Sequence, residues 1–223
     1  MQNVPDLEYI IVDGGSTDNT LSVIQQYSSK ISHFISEKDE GIYDALNKGI
    51  KLATGAVIGI LHADDFYTSP EVLKKVLREF NADETDIVYG DLQYVEKNNP
   101  EKITRNWKSG KFHRNSFLWG WMPPHPTFFV KKSLYQTLGN YNTLLKSAAD
   151  YELMLRFLFK EKCKPSYIPE VLVKMRTGGM SNASLKNRLR ANGEDRRAWE
   201  LNGLKPYFFT MYLKPLRKLL QFF

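Results

Sequence analysis

Four aspartates stand where an α/β protein presents chemistry. His62-Ala-Asp-Asp65 follows the apolar run Ala56 to Leu61. Ligands of open α/β sheets bind outside the carboxyl ends of the strands, so adjacent carboxylates there suit a divalent cation held against a diphosphate. The same pair serves equally to end the strand or to cap the helix after Ser69-Pro70. Asp13 ends the earlier run Glu8 to Asp13 before Gly14-Gly15 and is expected on the same edge as Asp64 and Asp65. Converging carboxylates repel one another unless a cation intervenes. The alternative for Asp13 is turn-making. Asp150 opens the helical segment Asp-Tyr-Glu-Leu-Met-Leu-Arg156, as an N-cap or as a general base for a hydroxyl nucleophile. Asp44, Asn47 and Lys48 share a helix face that either lines a ligand pocket or is simply solvated. His125 and Trp121 lie in the aromatic, proline-rich stretch 119–126, on which a substrate could pack; structural hydrogen bonding and core packing are the competing roles.

These positions require alternating strands and helices. Strands are predicted at 7–13, 33–36, 56–62, 86–93 and 127–130. Helices are predicted near 17–27, 42–53 and 149–160, and after Ser69-Pro70, where Val72, Leu73, Val76, Leu77 and Phe80 form one stripe. The alternation through residue 62 is that of βαβ units. The expected fold is a Rossmann-like α/β domain with a mostly parallel sheet, over residues 1–180. Residues 181–223 are expected to form a basic, amphipathic helical tail. A parallel sheet begun at Leu7 would be expected to have a further neighbour strand.

Six fragments in order resemble family 2 glycosyltransferases of the GT-A fold. They are Asp13-Gly-Gly-Ser-Thr-Asp18, Glu40-Gly-Ile-Tyr-Asp-Ala-Leu-Asn-Lys-Gly49, Ala53-Thr-Gly55, Ala63-Asp-Asp65, His125-Pro-Thr-Phe-Phe129 and Ala149-Asp-Tyr-Glu-Leu-Met-Leu-Arg156. The resemblance, to bacterial exopolysaccharide, O-antigen and capsule enzymes, implies single-sugar transfer with inversion. It implies a nucleotide-diphosphate sugar donor, most often a UDP-sugar, and a Mg²⁺ or Mn²⁺ ion. By position, Asp13 would contact the base, Asp64 the ribose or sugar, and Asp65 the metal. Asp44, Asn47 and Lys48 would line the donor pocket. Asp150 would be the general base, and His125 and Trp121 would face the acceptor, a glycan or polyprenyl-linked lipid. Members ordinarily carry a strand and helix ahead of the Asp-Gly-Gly-Ser motif, so the chain resembles a shortened member. A non-catalytic remnant is therefore one alternative, and a sugar nucleotidyltransferase is another.

The charge is uneven. Residues 174–223 hold +8 of a net +6, leaving −2 for residues 1–173. Residues 205–223 mix aromatic and aliphatic side chains with Lys and Arg and contain no acid, a composition suited to an anionic membrane surface or to packing on the catalytic domain. Gly178-Gly-Met-Ser181 reads as a glycine turn that closes over the site in similar sequences. A nucleic-acid partner is not expected, because the catalytic half is slightly acidic and contains no recognised module. Cys163 is the only cysteine, which excludes an internal disulfide and fits a cytoplasmic protein, peripheral on the inner face of the plasma membrane.

Overall fold

The computed structural model describes residues 2–82, 84–178, 185–219 and 221. The chain opens with β1 (Ile10–Asp13), α1 (Thr20–Gln26), β2 (His33–Ser36), α2 (Ile42–Leu52), β3 (Val57–Ile58), β4 (Asp65–Tyr67) and α3 (Val72–Ala82). It continues with β5 (Ile87–Glu96), β6 (Asn99–Trp107), β7 (Phe129–Lys131), α4 (Lys132–Leu138), α5 (Ala149–Met154), β8 (Pro165–Arg176), α6 (Leu185–Leu201) and α7 (Thr210–Leu219). Residues 155–160 prolong α5 as a π-helical turn.

The strands form two sheets rather than one. β1 and β2 pair in parallel, with Asp13 opposite Ser36. The larger sheet runs β3-β7-β5-β8-β4, and β6 pairs with β5. Within it only β5 and β8 are parallel; β3–β7, β4–β8, β5–β6 and β5–β7 are antiparallel. The expected mostly parallel sheet is thus mixed. Parallel neighbours need a long crossover, whereas β5 turns straight back into β6 through Lys97 and Asn98. The strand expected at 56–62 shrinks to two residues.

β5 is covered on both faces, and its residues from Ile87 to Leu92 are all buried. Ile87 and Tyr89 enter the main core, which also holds Tyr151, Leu153 and Met154 of α5. Val88 and Leu92 face the opposite way, toward Val72, Val76 and Phe80 of α3. Val76 is 1% exposed, and burying a side chain of this kind stabilises by roughly 1.5–3 kcal/mol.

The segment expected as a separate tail joins this main core. Ala198 and Trp199 of α6 are fully buried within it, and the Trp199 indole N–H donates to the Tyr151 hydroxyl at 2.9 Å. α7 docks on the loop at 118–121. The Thr210 hydroxyl donates to the Leu118 carbonyl at 2.7 Å. Gly120 has φ +72°, and a Cβ there would lie 2.5 Å from the Lys214 backbone nitrogen, so the helix backbone passes directly over a residue without a side chain. No helix among the described residues is long and apolar enough to cross a membrane. Of the expected glycine turn at 178–181, residues 179–181 lie outside the described residues.

Candidate active site

Asp150 lies in the first turn of α5, but it does not cap the helix. The N-cap position is Ala148, which has no capping side chain. Glu194 of α6 supplies the missing acceptor: its Oε2 takes the Ser147 N–H at 2.7 Å, the Ser147 hydroxyl at 2.9 Å and the Ala148 N–H at 3.1 Å. Further along, Arg156 donates twice to the buried Glu152 carboxylate, at 3.0 Å each, and also to the carbonyls of Leu138, Gly139 and Asn140. Asn202 donates to Glu152 at 3.1 Å. The acids and arginine around Asp150 therefore fix its helix, and the Asp150 carboxylate is left free to point elsewhere.

That carboxylate meets two rings. The Tyr43 hydroxyl donates to Oδ1 at 3.2 Å, and His125 Nδ1 stands 3.4 Å from Oδ2. Tyr43 is held by stacking on Tyr141, with ring centroids 5.6 Å apart. His62 packs beside His125 at 5.3 Å. Burial lowers the His62 pKa to about 4, assisted by the neighbouring His125 and opposed by Asp150. Burial also lowers His125, again against the pull of Asp150. Both imidazoles are therefore neutral near pH 7, and a neutral ring can both donate and accept a proton.

Asp65, in β4 opposite Met175, is 7% exposed, and both its carboxylate oxygens lack any hydrogen-bond partner. Burial, then the adjacent Asp64 charge, raises its pKa to about 7, while Arg176 pulls the other way. Arg176 donates to the Asp64 carbonyl at 3.0 Å and lies 4.8 Å above the Phe66 ring, clamping this turn. Asp64 itself is exposed. A buried, unpartnered carboxylate is costly unless something binds it. Oxygen-seeking cations such as Mg²⁺ and Mn²⁺, which take one or two carboxylates and fill the rest of their shell with phosphate and water, fit that vacancy in bonding. The Tyr94 phenol is raised chiefly by burial; the Arg105 charge opposes this, and the charges of Asp65 and Asp150 add to it.

Other expected residues sit differently. Asp13 belongs to the small sheet, and its carboxylate accepts from the Gly15 and Ser16 N–H groups at 3.1 and 3.0 Å, and from the hydroxyls of Ser16 at 2.5 Å and Ser36 at 2.7 Å. The Ser16 and Ser36 hydroxyls foremost lower its pKa to about 2. The turn-making role is thus filled, and the expected three-carboxylate edge is absent. Among the described residues no three His, Cys, Asp or Glu side chains lie close enough to hold a metal together. Asn47 clamps the Tyr141 backbone through both amide atoms, at 2.9 and 3.0 Å. Lys48 pairs with Glu37 at 2.8 Å and Asp44 at 3.2 Å. It is Tyr43, on the adjacent face of α2, that reaches Asp150. Trp121 is 6% exposed, its N–H donates to the Ser109 carbonyl at 2.7 Å, and its ring packs among Tyr89, Phe112 and Phe117. It is a core residue with one edge on a cleft, not an open stacking platform.

A family model described as glycosyl transferase family 2 matches residues 1–139. The chain belongs to that family and is a glycosyltransferase. A PGL/p-HBAD biosynthesis glycosyltransferase of Mycobacterium bovis (strain BCG / Pasteur 1173P2) is 30% identical over 186 residues, covering 81% of this chain and 70% of that one. The fold is GT-A. S. aureus TarS 1-349, solved with UDP-GlcNAc, superposes with a TM-score of 0.65 at 17% identity, over 90% of this chain and 58% of TarS. A mannosyltransferase of Pyrobaculum calidifontis, solved with GDP-Man and Mn²⁺, gives 0.63 at 19% identity, over 95% of this chain and 61% of its own. The chain thus spans about three-fifths of these solved structures.

Proposed function

We propose that the protein transfers a single sugar, with inversion, from a nucleotide-diphosphate sugar to a hydroxyl of a glycan or lipid-linked acceptor in surface polysaccharide assembly. The carrying observation is a pair of acids: Asp65, buried and without a hydrogen-bond partner, and Asp150, held by Tyr43 and His125 at the start of α5. The UDP-GlcNAc and GDP-Man bound by the two solved relatives support a nucleoside-diphosphate donor, and UDP is the first to test.

Asp150 acts as the base. Its carboxylate takes the acceptor hydroxyl proton while that oxygen attacks the anomeric carbon, from the side opposite the bond to the diphosphate, so one displacement inverts the centre. Tyr43 and His125 hold the carboxylate for this task. Asp65, with Asp64 beside it, would hold Mg²⁺ or Mn²⁺, which when bound supplies positive charge to the departing diphosphate. Asp13 shapes the turn at 13–16 that adjoins the nucleotide, and Asp44 and Lys48 border the donor side. The exposed side chains of Tyr207 and Phe208, just ahead of α7, and of Tyr212 and Leu216 on it favour work at the inner face of an anionic membrane.

The test is UDP binding with and without Mn²⁺, by thermal shift, on this chain and on Asp65→Ala. Ligand at about 100 times its Kd stabilises a fold by about 2.7 kcal/mol. Stabilisation that needs Mn²⁺ and is lost in Asp65→Ala is expected. Equal behaviour of the two proteins, or no stabilisation by UDP or GDP, overturns the reading.

A further inference from the structure

A cleft of about 270 Å³ opens where the end of β6 meets the loop 120–122 and α7, walled by Trp107, Lys108, Trp121, Lys214, Arg217 and Lys218 among others. Four of these six side chains are cationic, and none of the cleft's walls is acidic. Two of the cations are already engaged. Lys214 pairs with Asp195 at 2.7 Å and lies 3.6 Å from the centre of the Tyr151 ring; Arg217 Nε donates to the Trp119 carbonyl at 2.9 Å. Lys108 and Lys218 have no hydrogen-bond or ion-pair partner among the described residues. Lys108, Arg217 and Lys218 are solvent-exposed.

Three features favour an anion in this cleft. The cations are concentrated in a concave space that an anion could fill. Lys214, Arg217 and Lys218 stand on a helix whose backbone is locked over Gly120 and tied through Thr210, which sets the backbone that carries them before any ligand arrives. The cleft also adjoins the helix of the base, because its wall residue Lys214 lies against the ring of Tyr151, the residue that follows Asp150 on α5. Crowded cations repel one another, and an anion among them replaces repulsion by charge-assisted hydrogen bonds.

We infer that this cleft is an anion subsite for the acceptor, taking a phosphate or diphosphate group that the acceptor carries close to its nucleophilic hydroxyl. The inference rests on Asp150 being the base. The phosphate belongs either to a lipid-linked acceptor or to a soluble phosphorylated one, and the aromatic walls Trp107 and Trp121 would lie against the portion next to it.

The test uses the full chain in EDTA, so that a metal-dependent donor site does not contribute, with calorimetric titration of hexyl phosphate, hexyl glucoside and inorganic phosphate. Hexyl phosphate is expected to bind at least about tenfold more tightly than hexyl glucoside. The double variant Lys108→Gln with Lys218→Gln is expected to lose that difference while keeping parental binding of UDP with Mn²⁺, the control for folding. Tighter binding of hexyl phosphate than of inorganic phosphate supports the lipid-linked source; equal binding supports the soluble one. Hexyl phosphate binding no better than hexyl glucoside, or equally well to parent and double variant, overturns the subsite. Failure of UDP and Mn²⁺ to bind while hexyl phosphate still discriminates would sink the donor reading and leave the subsite standing.

Discussion

His125 Nδ1 lies 3.4 Å from Asp150 Oδ2, on the side of the carboxylate opposite the oxygen that accepts from Tyr43. A base held between two rings is positioned before substrate arrives, and general-base removal typically costs about 10²–10⁴ in rate. Asp150→Asn should therefore lower kcat within that range and leave UDP–Mn²⁺ affinity unchanged, because the amide keeps the size but not the proton affinity. Tyr43→Phe should lower kcat less, with donor KM unaltered. Initial rates with paired donor titrations check both, and a loss of donor affinity equal to the loss of rate would assign these residues to binding instead.

Asp65 gives a stability signature with a definite sign. Its pKa of about 7 in the folded chain exceeds the ordinary aspartate value, so between about pH 4 and 7 the native state keeps a proton that the unfolded state has released. Metal-free stability consequently falls as pH rises through that window. Asp65→Asn removes the buried charge. It should stabilise the metal-free protein by on the order of 1–3 kcal/mol at pH 8 and by little at pH 4. Addition of Mn²⁺ and UDP should reverse the order at pH 8. Denaturant melts at the two pH values, with and without ligand, decide it.

The elements with a clean period were legible in sequence. The helix at 42–52 and the stripe Val72-Val76-Phe80 appear as read, because each period fits only one way of burying its apolar side, and the strand at 33–36 appears as read although it is largely exposed. Strand direction was not legible, since an apolar run looks alike in a parallel or an antiparallel neighbour. The site was half legible. Aspartates flanked by turn residues pointed to Asp65 and Asp150, but the choice of face on α2 failed. Polar spacing favoured Asp44, Asn47 and Lys48, whereas Tyr43 lies with Leu46 and Ile50 on the inward stripe, and a phenol on an apolar stripe was the available signal. Trp121 looked like a sugar platform only because its partners, Tyr89 and Phe117, are distant or unremarkable in sequence.

Glu194 is a second consequence of tertiary contact. It caps, at Ser147 and Ala148, 47 and 46 residues earlier, a helix that begins without its own cap. A cap of this kind is worth roughly 0.5–2 kcal/mol. Glu194→Ala should cost about that amount, and kcat should fall too, because the start of α5 carries Asp150. Glu194→Gln keeps an acceptor oxygen and should recover much of both. Melting temperatures and turnover measured together check the coupling; a stability loss with unchanged kcat would show that α5 holds Asp150 without this cap.

Gly120 should be intolerant of any side chain. Its φ of +72° is unfavourable for other residues, and a Cβ 2.5 Å from the Lys214 nitrogen leaves α7 no option but to move. Gly120→Ala should lower stability by about 2 kcal/mol or more. It should also speed proteolysis near residues 203–209, where the chain leads into α7. Limited proteolysis with mass mapping would expose a different outcome, such as cleavage spread evenly through the chain.

α7 docks one face and leaves bare the other, together with Phe208 just ahead of the helix. Phe208, Tyr212 and Leu216 recur at four-residue spacing and are 86%, 67% and 55% exposed, with Trp119 and Tyr207 close by. Lys205, Arg217 and Lys218 lie on or beside the same segment. Basic residues near an anionic surface contribute about 1 kcal/mol each, and aromatic rings settle at headgroup level, so the two kinds of side chain act together. The chain should sediment with vesicles of equal phosphatidylglycerol and phosphatidylcholine, but weakly with phosphatidylcholine alone. Replacing Phe208, Tyr212 and Leu216 together by Ser should abolish sedimentation even at low salt, since the remaining charge lacks an apolar anchor, and UDP–Mn²⁺ binding should persist. Binding that survives the triple substitution and vanishes only with salt would make the attachment purely electrostatic, and the bare face of α7 would then need another occupant.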